Sequence, residues 1–526
     1  MQESTRSTSS FVFLRTGNVR IASRYGIEGT VESKLVEPIG IECCVAYLRS
    51  HGVRTEIIDS VLRGRESVVT AILSCDPACV GLSVLYSHMF ADSIEVIRAL
   101  RKAGYTGHVT LGGTYPTLSS DFILKSHPEI DSIIRTEGEV CSLKLFRAIT
   151  RREDLRDVSG LSWRDSEGAV IHNPPQPLIP DLDALPFPAR DNFSAYAKMG
   201  GIIQLHGSRG CHHNCSFCGT AAFYRMAPGR KWRARSASNI VSELTPLVHL
   251  APTNEVWMTD DNFIGPGTAG NSRALDIAAC IRSAKLDIKL IIQSRADNMR
   301  RETLRALKDA GLRKVYVGVE SGITSDLTLF NKNITPVDSI AALRLIEDED
   351  LFAELGFIGF TPFTTMTDFC QNVAFLERLC GASSRIHLFA FDRLVPYRGT
   401  PVWNLLLKEG LADCRGIEYR SVIRDPVIEQ VWRHTDALLV MLGPATELIK
   451  SLIMLDGREI DACSAILQKN EVFIRGIKKI ASTFLNAHQV CGIDIRPDLA
   501  EIVVRLNRAL GLSFDVNYEQ HTTDIL

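Results

Sequence analysis

The stretch that decides the fold is Gly207-Ser-Arg-Gly-Cys-His-His-Asn-Cys-Ser-Phe-Cys-Gly219, in which three cysteines fall within eight residues. The three are Cys211, Cys215 and Cys218. Thiolates at this separation reach one iron–sulfur cluster if the backbone curls tightly between them, and Gly210 and Asn214 suit such a loop. Three protein ligands on four irons leave one iron open. An open iron binds a small molecule directly and passes an electron to it.

A zinc knuckle and three unligated core cysteines are the alternative interpretations of these thiols. Zinc prefers four ligands in paired C-x2-C halves, and no second pair follows in this chain. His212 and His213 would crowd the same loop. The spacing therefore favours the cluster over both alternatives.

The C-x3-C-x2-C spacing resembles the signature of the radical S-adenosylmethionine (radical SAM) superfamily. The strand-like run 202–205 before it is similar to that family's first barrel strand. The resemblance implies that the open iron binds the amino and carboxylate groups of SAM, which electron transfer cleaves to a 5′-deoxyadenosyl radical. It makes the three cysteines both cluster ligands and catalytic residues, and it assigns Phe217 to the adenine of SAM.

Length, charge and composition bound the possible functions. A chain of 526 residues is too long for one core, so two or three domains are expected. The net charge of -2 argues against a nucleic-acid partner. No window reaches the ~18 apolar residues of a membrane span, and the N-terminus lacks an apolar signal core. Fourteen cysteines without a disulfide framework indicate a reducing compartment, so we expect a cytoplasmic location and no membrane.

Residues 1–150 alternate short apolar strands with amphipathic helices, which predicts a doubly wound, flavodoxin-like α/β domain. Ligands of such sheets bind at the carboxyl ends of the strands. Ser83 and Leu85 lie at the end of the third strand, and Gly112 and Gly113 end the fourth. The missing glycine side chains would leave a slot for a flat aromatic group.

These two strand ends resemble the S-x-L and G-G elements of cobalamin-binding domains. The resemblance implies that the dimethylbenzimidazole tail of cobalamin lies between Ser83, Leu85, Gly112 and Gly113. The alternative is a bare flavodoxin-like domain with a chance double glycine. A cobalamin-binding segment directly upstream of the cysteine motif is similar to the arrangement in cobalamin-dependent radical SAM enzymes.

The loop after the first strand is where such domains carry a histidine that ligates cobalt from below. Residues 15–30 contain no histidine. The run 59–64 partly mimics the motif, but it follows the second strand and has Val61 in the histidine's place. We therefore predict that no protein histidine from this loop ligates the cobalt.

Residues 151–199 contain a hairpin signal and then proline-rich runs that cannot continue a sheet interior, which predicts a linker. Residues 200–405 again alternate strands and helices, and six parallel strands predict a partial (β/α)6 barrel. Catalytic groups in such barrels gather at the carboxyl ends of the strands. Residues 406–526 have helical periodicity and predict a C-terminal extension that covers the barrel mouth.

Polar residues follow the predicted barrel strands. Glu320 resembles the family's fourth-strand acid, which contacts the ribose or ammonium of SAM. Asp260 lies in the segment 259–262, whose backbone would bind the methionyl amine, and Arg295 would pair with the SAM carboxylate.

The remaining polar candidates are less specific. Arg233 and Arg235 would contact the cobalamin rim or be solvated. Tyr397 and Arg398 would face substrate. The histidines His206, His212 and His213 are interpreted as loop residues.

Together these features predict a cobalamin-dependent radical SAM methyltransferase acting on an unactivated carbon of a small molecule, with a [4Fe-4S] cluster, SAM and cobalamin as cofactors. The resemblance implies transfer of a methyl group from methylcobalamin to a substrate radical. Cyclisation or rearrangement without methyl transfer is one alternative, and a non-catalytic metal-binding or regulatory protein is another. The expected partners are a small-molecule substrate and an external electron donor of the flavodoxin or ferredoxin type.

Overall fold

The computed structural model describes residues 10–16, 36–381, 383–388, 390–413, 419–485 and 496–512. Most of the loop predicted to lack a cobalt-ligating histidine lies outside these residues. Cys414 and Cys491 also lie outside them.

The first sheet has seven strands in the order β2-β1-β3-β4-β5-β6-β7. The first five are parallel and the last two add an antiparallel edge. Its strands are β1 (Ser10–Arg15), β2 (Arg54–Asp59), β3 (Cys79–Ser83), β4 (His108–Gly112), β5 (Ser132–Ile134), β6 (Leu161–Arg164) and β7 (Val170–His172). Its helices are α1 (Ile39–Ser50), α2 (Ser60–Arg63), α3 (Arg65–Ser74), α4 (Ser87–Lys102), α5 (Thr114–Leu118), α6 (Ser120–Ser126) and α7 (Gly138–Arg151).

The alternation along β1 shows why this sheet is doubly wound. Val12 and Leu14 belong to one buried cluster, whereas Phe11 and Phe13 belong to another. Because successive side chains of a strand point to opposite faces, both faces of the sheet are covered by helices. The predicted doubly wound α/β domain is confirmed, and the hairpin predicted in the linker forms the antiparallel edge of its sheet.

The linker carries α8 (Phe193–Lys198), and the second large sheet follows it. Six parallel strands lie in the order β15-β14-β13-β12-β11-β8, so the predicted six-stranded partial barrel is confirmed. These strands are β8 (Ile203–Leu205), β11 (Glu255–Met258), β12 (Lys289–Arg295), β13 (Leu312–Glu320), β14 (Phe352–Phe360) and β15 (Ile386–Leu388). The short strands β9 (Ser208–Arg209) and β10 (Arg233–Ala234) pair with each other, and β16 (Asp392–Arg393) pairs with β14.

The helices around the barrel follow its strands in sequence. They are α9 (Gly219–Arg225), α10 (Ala237–Leu250), α11 (Gly267–Ser283), α12 (Arg301–Asp309), α13 (Thr324–Leu329), α14 (Pro336–Asp348), α15 (Met366–Cys380) and α16 (Pro401–Lys408). In β13, Val315, Val317 and Val319 are fully buried in the core shared with these helices. The alternate residues Tyr316 and Glu320 therefore point into the barrel lumen.

A short hairpin of β17 (Ala412–Asp413) and β18 (Arg420–Ser421) precedes four C-terminal helices. These are α17 (Pro426–Met441), α18 (Gly443–Met454), α19 (Glu459–Leu485) and α20 (Arg496–Ala509). No single helix in the described ranges is long and apolar enough to cross a membrane. The bent pair α17 and α18 passes that test only when taken together.

The C-terminal helices do not all lie where the sequence predicted. Phe352, at the amino end of β14, packs with Ile449, Ile453 and Ile466 of α18 and α19, and Ile291 of β12 packs against the same cluster. Arg313, at the amino end of β13, pairs with Asp456 and Glu459 in the turn between those helices. The helices α18 and α19 thus fill the bottom of the lumen, so the prediction that the extension covers the mouth is wrong for them.

We refer to α18 and α19 at the bottom of the lumen as the plug. A buried polar layer lies directly above it. Lys469 of α19 is 2% exposed and contacts His387 Nε2 at 2.9 Å and the Leu388 carbonyl at 2.6 Å. Glu354, 3.8 Å from His387 Nδ1, pairs with Lys314 at 2.9 Å. Burial lowers the pKa of Lys469 to about 7 and that of His387 to about 3. The lumen is therefore closed from below by a layer of hydrogen-bonded side chains.

Candidate active site

The cysteine motif lies on a loop closed at its base by a short ladder. Arg209 of β9 pairs antiparallel with Arg233 of β10, so residues 210–232 form one excursion between the two strands. Gly210 has φ +80°, and a Cβ at this position would collide with the Lys231 carbonyl oxygen. Only glycine fits this close approach, which explains the predicted tight curl.

The three cysteines lie in one enclosed environment with two polar neighbours. Cys215 is buried, and Cys211 and Cys218 are half-buried. Arg295 Nη1 lies 3.5 Å from Cys215 Sγ, and Asn262 Nδ2 lies 4.0 Å from Cys211 Sγ. Donors directed at sulfur suit a thiolate that carries negative charge, as in a cluster ligand.

Burial makes bare thiolates costly in this loop. Desolvation raises the pKa of Cys218 to about 12 and also raises that of Cys211. Iron supplies the positive charge that stabilises thiolates here, and its binding would release protons. Within the described ranges no three His, Cys, Asp or Glu side chains could hold a single metal ion. A four-iron cluster has a different requirement because its ligands bind separate irons.

Arg295 does not have the geometry predicted for it. Its Nε and Nη2 form a fork with the Asp297 carboxylate at 2.9 and 3.1 Å, Nη2 also donates to the Lys332 carbonyl at 2.6 Å, and Nη1 faces Cys215. Because each nitrogen has a protein partner, a two-pronged bond to the SAM carboxylate is not favoured. The arrangement instead places a positive charge beside a cluster thiolate.

We expect Arg295→Met to lower the midpoint potential of the reconstituted cluster. A cation and hydrogen bond at the sulfur favour the reduced, more negative state, so their loss disfavours reduction. A shift on the order of 60 mV corresponds to a tenfold change in the one-electron equilibrium. Potentiometry followed by electron paramagnetic resonance measures it. Arg295→Lys restores part of the shift, and the exposed Arg300→Met leaves the potential unchanged; equal potentials in wild type and Arg295→Met would contradict the assignment.

The two aspartates after β11, Asp260 and Asp261, have different roles. Asp260 is fully buried, and its carboxylate accepts from Gly207 N at 2.9 Å and Ser208 Oγ at 2.5 Å. Its side chain therefore fixes the base of the cysteine loop, leaving only backbone of the segment 259–262 to bind SAM as predicted. Asp261 is exposed and accepts from Thr220 Oγ1 at 2.8 Å.

Glu320 lies at the carboxyl end of β13, as predicted, in a constrained conformation. Its φ is +68°, and a Cβ at Gly318 would collide with its carboxylate. Lys332 Nζ lies 2.7 Å from Glu320 Oε1, and the Lys332 side chain is 4% exposed. Backbone strain at a strand end that faces a lumen is typical of ligand-binding positions. The assignment of Glu320 to SAM remains a prediction, and Lys332 is a neighbour that the sequence did not indicate.

The aromatic and histidine residues of the loop lie near the cluster position. Phe217 packs against Phe330 with ring centroids 5.1 Å apart, and its contact with adenine remains a prediction. The His212 and His213 rings lie against each other with centroids 4.0 Å apart and a tilt of 48°, and His213 Nε2 lies 3.8 Å from Asp297. Burial and nearby arginines lower the pKa of His206 to about 3, so it is neutral.

Tyr397 and Arg398, which the sequence predicts to face substrate, lie between the barrel and the first domain, and their contact with substrate remains a prediction. The Tyr397 ring packs over Gly219, just after the cysteine motif, and against Tyr419 with centroids 5.2 Å apart. Arg398 stacks on Phe122 of α6 at 4.2 Å and lines a cavity of about 460 Å³ beside α5 and α6. Both residues join the barrel to the first domain.

The carboxyl edge of the first sheet brings the predicted cobalamin residues together. Ser83 and Gly112 are register partners, and Val84 N donates to the Gly112 carbonyl at 2.8 Å. A Cβ at Gly113 would lie 2.5 Å from Val84 O, whereas the nearest atom to one at Gly112 is 3.9 Å away. Gly113 therefore permits backbone packing, and Gly112 leaves the open space.

This edge also exposes large apolar side chains. Leu85 is 47% exposed and Tyr86 is 51% exposed, directly after β3. Helix α5, which follows Gly113 at the same edge, packs against α9 of the barrel, which follows Cys218. An apolar edge that faces a polar mouth fits a large planar macrocycle with a polar rim, and these residues fit cobalamin.

A buried ionic clamp joins the first sheet to the cysteine loop. Glu137 accepts from Arg233 Nη1 at 2.8 Å and from Arg209 Nη1 at 3.2 Å, and Glu139 accepts from Arg209 Nη2 at 2.5 Å. The Arg233 side chain is 2% exposed. Neither predicted role of Arg233, a cobalamin rim contact or solvation, describes this geometry.

The linker adds a second set of buried ion pairs. Arg190 Nη1 lies 2.7 Å from Glu37, and its Nη2 lies 2.6 Å from Glu243 of α10. Arg235, the other predicted rim residue, pairs with Glu243 at 2.5 Å. Because Glu37 precedes α1 of the first domain, Arg190 connects both domains through the linker.

Comparison with known families agrees with this geometry. Residues 30–144 match the model of the B12 binding domain, and residues 205–375 match that of the radical SAM superfamily. The chain is therefore a radical SAM protein with an appended B12 domain. It belongs to the cobalamin-dependent radical SAM enzymes, whose cofactors are a [4Fe-4S] cluster, SAM and cobalamin.

Three curated relatives are similar over part of the chain. An uncharacterized methyltransferase of Pyrococcus horikoshii is 28% identical over 382 residues, 71% of this chain and 79% of the relative. The 4′-phospho-dehydrooxetanocin synthase of Priestia megaterium is 26% identical, covering 63% and 47%. An anaerobic magnesium-protoporphyrin IX monomethyl ester cyclase of Synechocystis is 27% identical, covering 47% and 48%. The chain thus spans about half the length of the last two.

Two solved structures share the fold. The cobalamin-dependent S-adenosylmethionine radical enzyme OxsB, with aqua-cobalamin and SAM bound, aligns with TM-score 0.74 and 19% identity over 98% of this chain and 83% of that one. The radical SAM methyltransferase TsrM from Kitasatospora setae aligns with TM-score 0.60 and 18% identity, covering 78% and 76%. At these identities the likeness concerns the fold alone.

Proposed function

We propose that this enzyme transfers a methyl group to an unactivated carbon of a small-molecule substrate in secondary metabolism. The observation that carries the proposal is that the carboxyl edge of the first sheet lies beside the cysteine loop. Helix α5, which follows Gly113 at that edge, packs against α9, which follows Cys218. A substrate between this edge and the loop would be close to both a corrin and a bound SAM.

The bound cofactors supply a hydrogen-abstracting 5′-deoxyadenosyl radical and a methyl group. The chain's residues hold and shield them. Cys211, Cys215 and Cys218 ligate the cluster, and Asp260 fixes the loop that carries them. Glu320 and Phe217 bind SAM, and the Ser83 and Gly112 strand ends receive the cobalamin tail.

The closed lumen fixes the direction from which the substrate arrives. The helices α18 and α19 and the Lys469 layer fill the barrel below Tyr316. We therefore propose that a substrate reaches the cofactors from the side on which the first domain lies against the barrel. Tyr316, Asp261 and Glu320 line the upper lumen, so we propose a substrate with polar groups as well as the carbon to be methylated.

Rearrangement or cyclisation without methyl transfer is the second candidate function. Relatives named as a synthase and a cyclase favour it, because they are similar to this chain over 63% and 47% of its length. The electron donor is proposed to be of the flavodoxin or ferredoxin type. The cytoplasmic location stays a prediction.

Labelled SAM separates the two functions. Anaerobically purified enzyme containing cluster and cobalamin is given reductant, trideuteromethyl-SAM and a low-molecular-weight extract of producing cells. Mass spectrometry then follows 5′-deoxyadenosine and extract components. We expect 5′-deoxyadenosine together with a product heavier by one trideuteromethyl group. Release of 5′-deoxyadenosine with an altered but unlabelled product would establish rearrangement and reject methyl transfer.

A further inference from the structure

We propose that an exposed basic rim beside the cysteine loop is the docking surface for an acidic electron-carrier protein of the flavodoxin type. The basic rim consists of the exposed Arg225, Arg230 and Arg300 and the half-buried Lys231, whose Nζ donates to the Ala227 carbonyl at 2.6 Å. The inference deepens the proposed function, because it concerns the one-electron reduction of the same cluster. It depends on the cluster and does not depend on which product is formed.

The rim surrounds the exposed point of the loop. Asn214, next to Cys215, is exposed. On one side Arg225 Nη1 lies 3.4 Å from Asn214 Oδ1. On another side Asn331 Nδ2 donates to the Asn214 carbonyl at 2.8 Å, so neutral amides lie directly around the loop.

Arg300 lies beyond the other end of the loop. His213 Nε2 lies 3.8 Å from Asp297, and Arg300 Nη1 donates to the Asp297 carbonyl oxygen at 3.2 Å. Lys231 adjoins the loop through its carbonyl, which lies against Gly210. Arg225, Arg230 and Arg300 are exposed, so the positive charges face the solvent on both sides of Asn214.

No acidic residue of the loop itself neutralises the charge of this surface. Residues 210–233 contain no aspartate or glutamate. The only acid in residues 296–301 is Asp297, whose carboxylate is held in the fork of Arg295. Arg225 and Arg300 donate hydrogen bonds to amide and carbonyl oxygens. Neither forms an ion pair within the described ranges.

Other approaches to the cluster loop are covered by protein. Helix α5 of the first domain packs against α9, which follows Cys218. The Val402 N of α16 donates to the Ser216 carbonyl at 3.0 Å, and Phe217 packs on Phe330. Electron transfer slows steeply with distance, so a carrier gains most by docking at Asn214, one residue from a cluster ligand.

A basic rim around an exposed redox site selects a partner by charge. Complementary charge steers association and raises the on-rate by 10–10³-fold at low ionic strength, and salt screens this effect. An acidic flavin protein fits, whereas a small neutral reductant gains nothing from the rim. Comparing the rates of cluster reduction by these two kinds of reductant therefore separates an effect on docking from an effect on the cluster itself.

The test uses the double variant Arg225→Glu/Arg300→Glu of the holoenzyme. Stopped-flow absorbance records cluster reduction in the absence of substrate, once with flavodoxin hydroquinone and once with photoreduced deazaflavin. We expect at least a tenfold slower reduction by flavodoxin at low salt, a smaller difference at high salt, and an unchanged rate with deazaflavin. The matched double variant Arg475→Glu/Arg505→Glu, on exposed positions of α19 and α20, should behave as wild type.

An unchanged rate with flavodoxin overturns the proposal. If the charge-reversal variant is reduced more slowly by both reductants, the milder Arg225→Gln/Arg300→Gln variant decides whether docking is affected. A selective loss with flavodoxin in that variant supports docking, and parallel or absent losses overturn it. Because cluster reduction is measured without substrate, failure here is distinguishable from failure of the proposed methyl transfer.

Discussion

Cys215→Ala is expected to abolish cluster binding and SAM cleavage. Cys215 is buried with Arg295 Nη1 directed at its sulfur, and alanine offers no ligand to the iron that this thiolate would hold. Iron should fall from about four to less than one per chain after anaerobic reconstitution. The charge-transfer absorbance and the release of 5′-deoxyadenosine should fall to background. Iron analysis, visible spectroscopy and chromatography measure the three quantities.

Cys280→Ala is the matched control for this loss. Cys280 is a half-buried free cysteine on α11, away from the loop. Its replacement removes a free thiol outside the cysteine motif, so iron content and SAM cleavage should remain at wild-type levels. Full iron content in Cys215→Ala would reject the assignment of the motif.

Glu137→Gln/Glu139→Gln is expected to uncouple SAM cleavage from product formation. Both carboxylates hold Arg209, two residues before Cys211, and Glu137 also holds Arg233. Glutamine keeps the shape and removes the charge that fixes the first sheet against the cysteine loop. A misplacement of about 1 Å between reacting groups costs roughly 100-fold in rate. Product formation should therefore fall about 100-fold while most 5′-deoxyadenosine release remains.

The ratio of product to 5′-deoxyadenosine measures this uncoupling. Glu153→Gln removes a carboxylate of the same domain that pairs only with Arg151 at the surface, so it serves as the control. Bound cobalamin is measured from the corrin absorbance in each variant. Parallel loss of both products, or an unchanged ratio, would show that the clamp does not set the distance between the cofactors.

Local patterns predicted the elements of the fold. The strands around Phe11 and Val315 alternate residues between two environments, so periodicity alone located them. The pairing of Ser83 with Gly112 followed from the rule that parallel strands end at the same edge. The cysteine spacing identified the site because it depends on a few adjacent residues.

Contacts between distant segments could not be predicted in this way. Arg209 and Glu139 are separated by 70 residues, and neither position alone indicates its partner. Asp260 lies at a strand end that commonly binds ligand, yet its buried carboxylate satisfies backbone and hydroxyl donors of the cysteine loop. The predicted position of the C-terminal extension was wrong because helical periodicity shows which face of α19 is apolar. It does not show which surface that face covers.

The plug at the bottom of the barrel has a consequence for engineering this enzyme. Exchanging α18 and α19 with those of a relative would change the packing that supports the barrel strands at their amino ends. The residues that contact the substrate would stay in place. Such chimeras should differ in melting temperature and should still form the same product. Altered product range would come instead from changes at the carboxyl ends of the barrel strands.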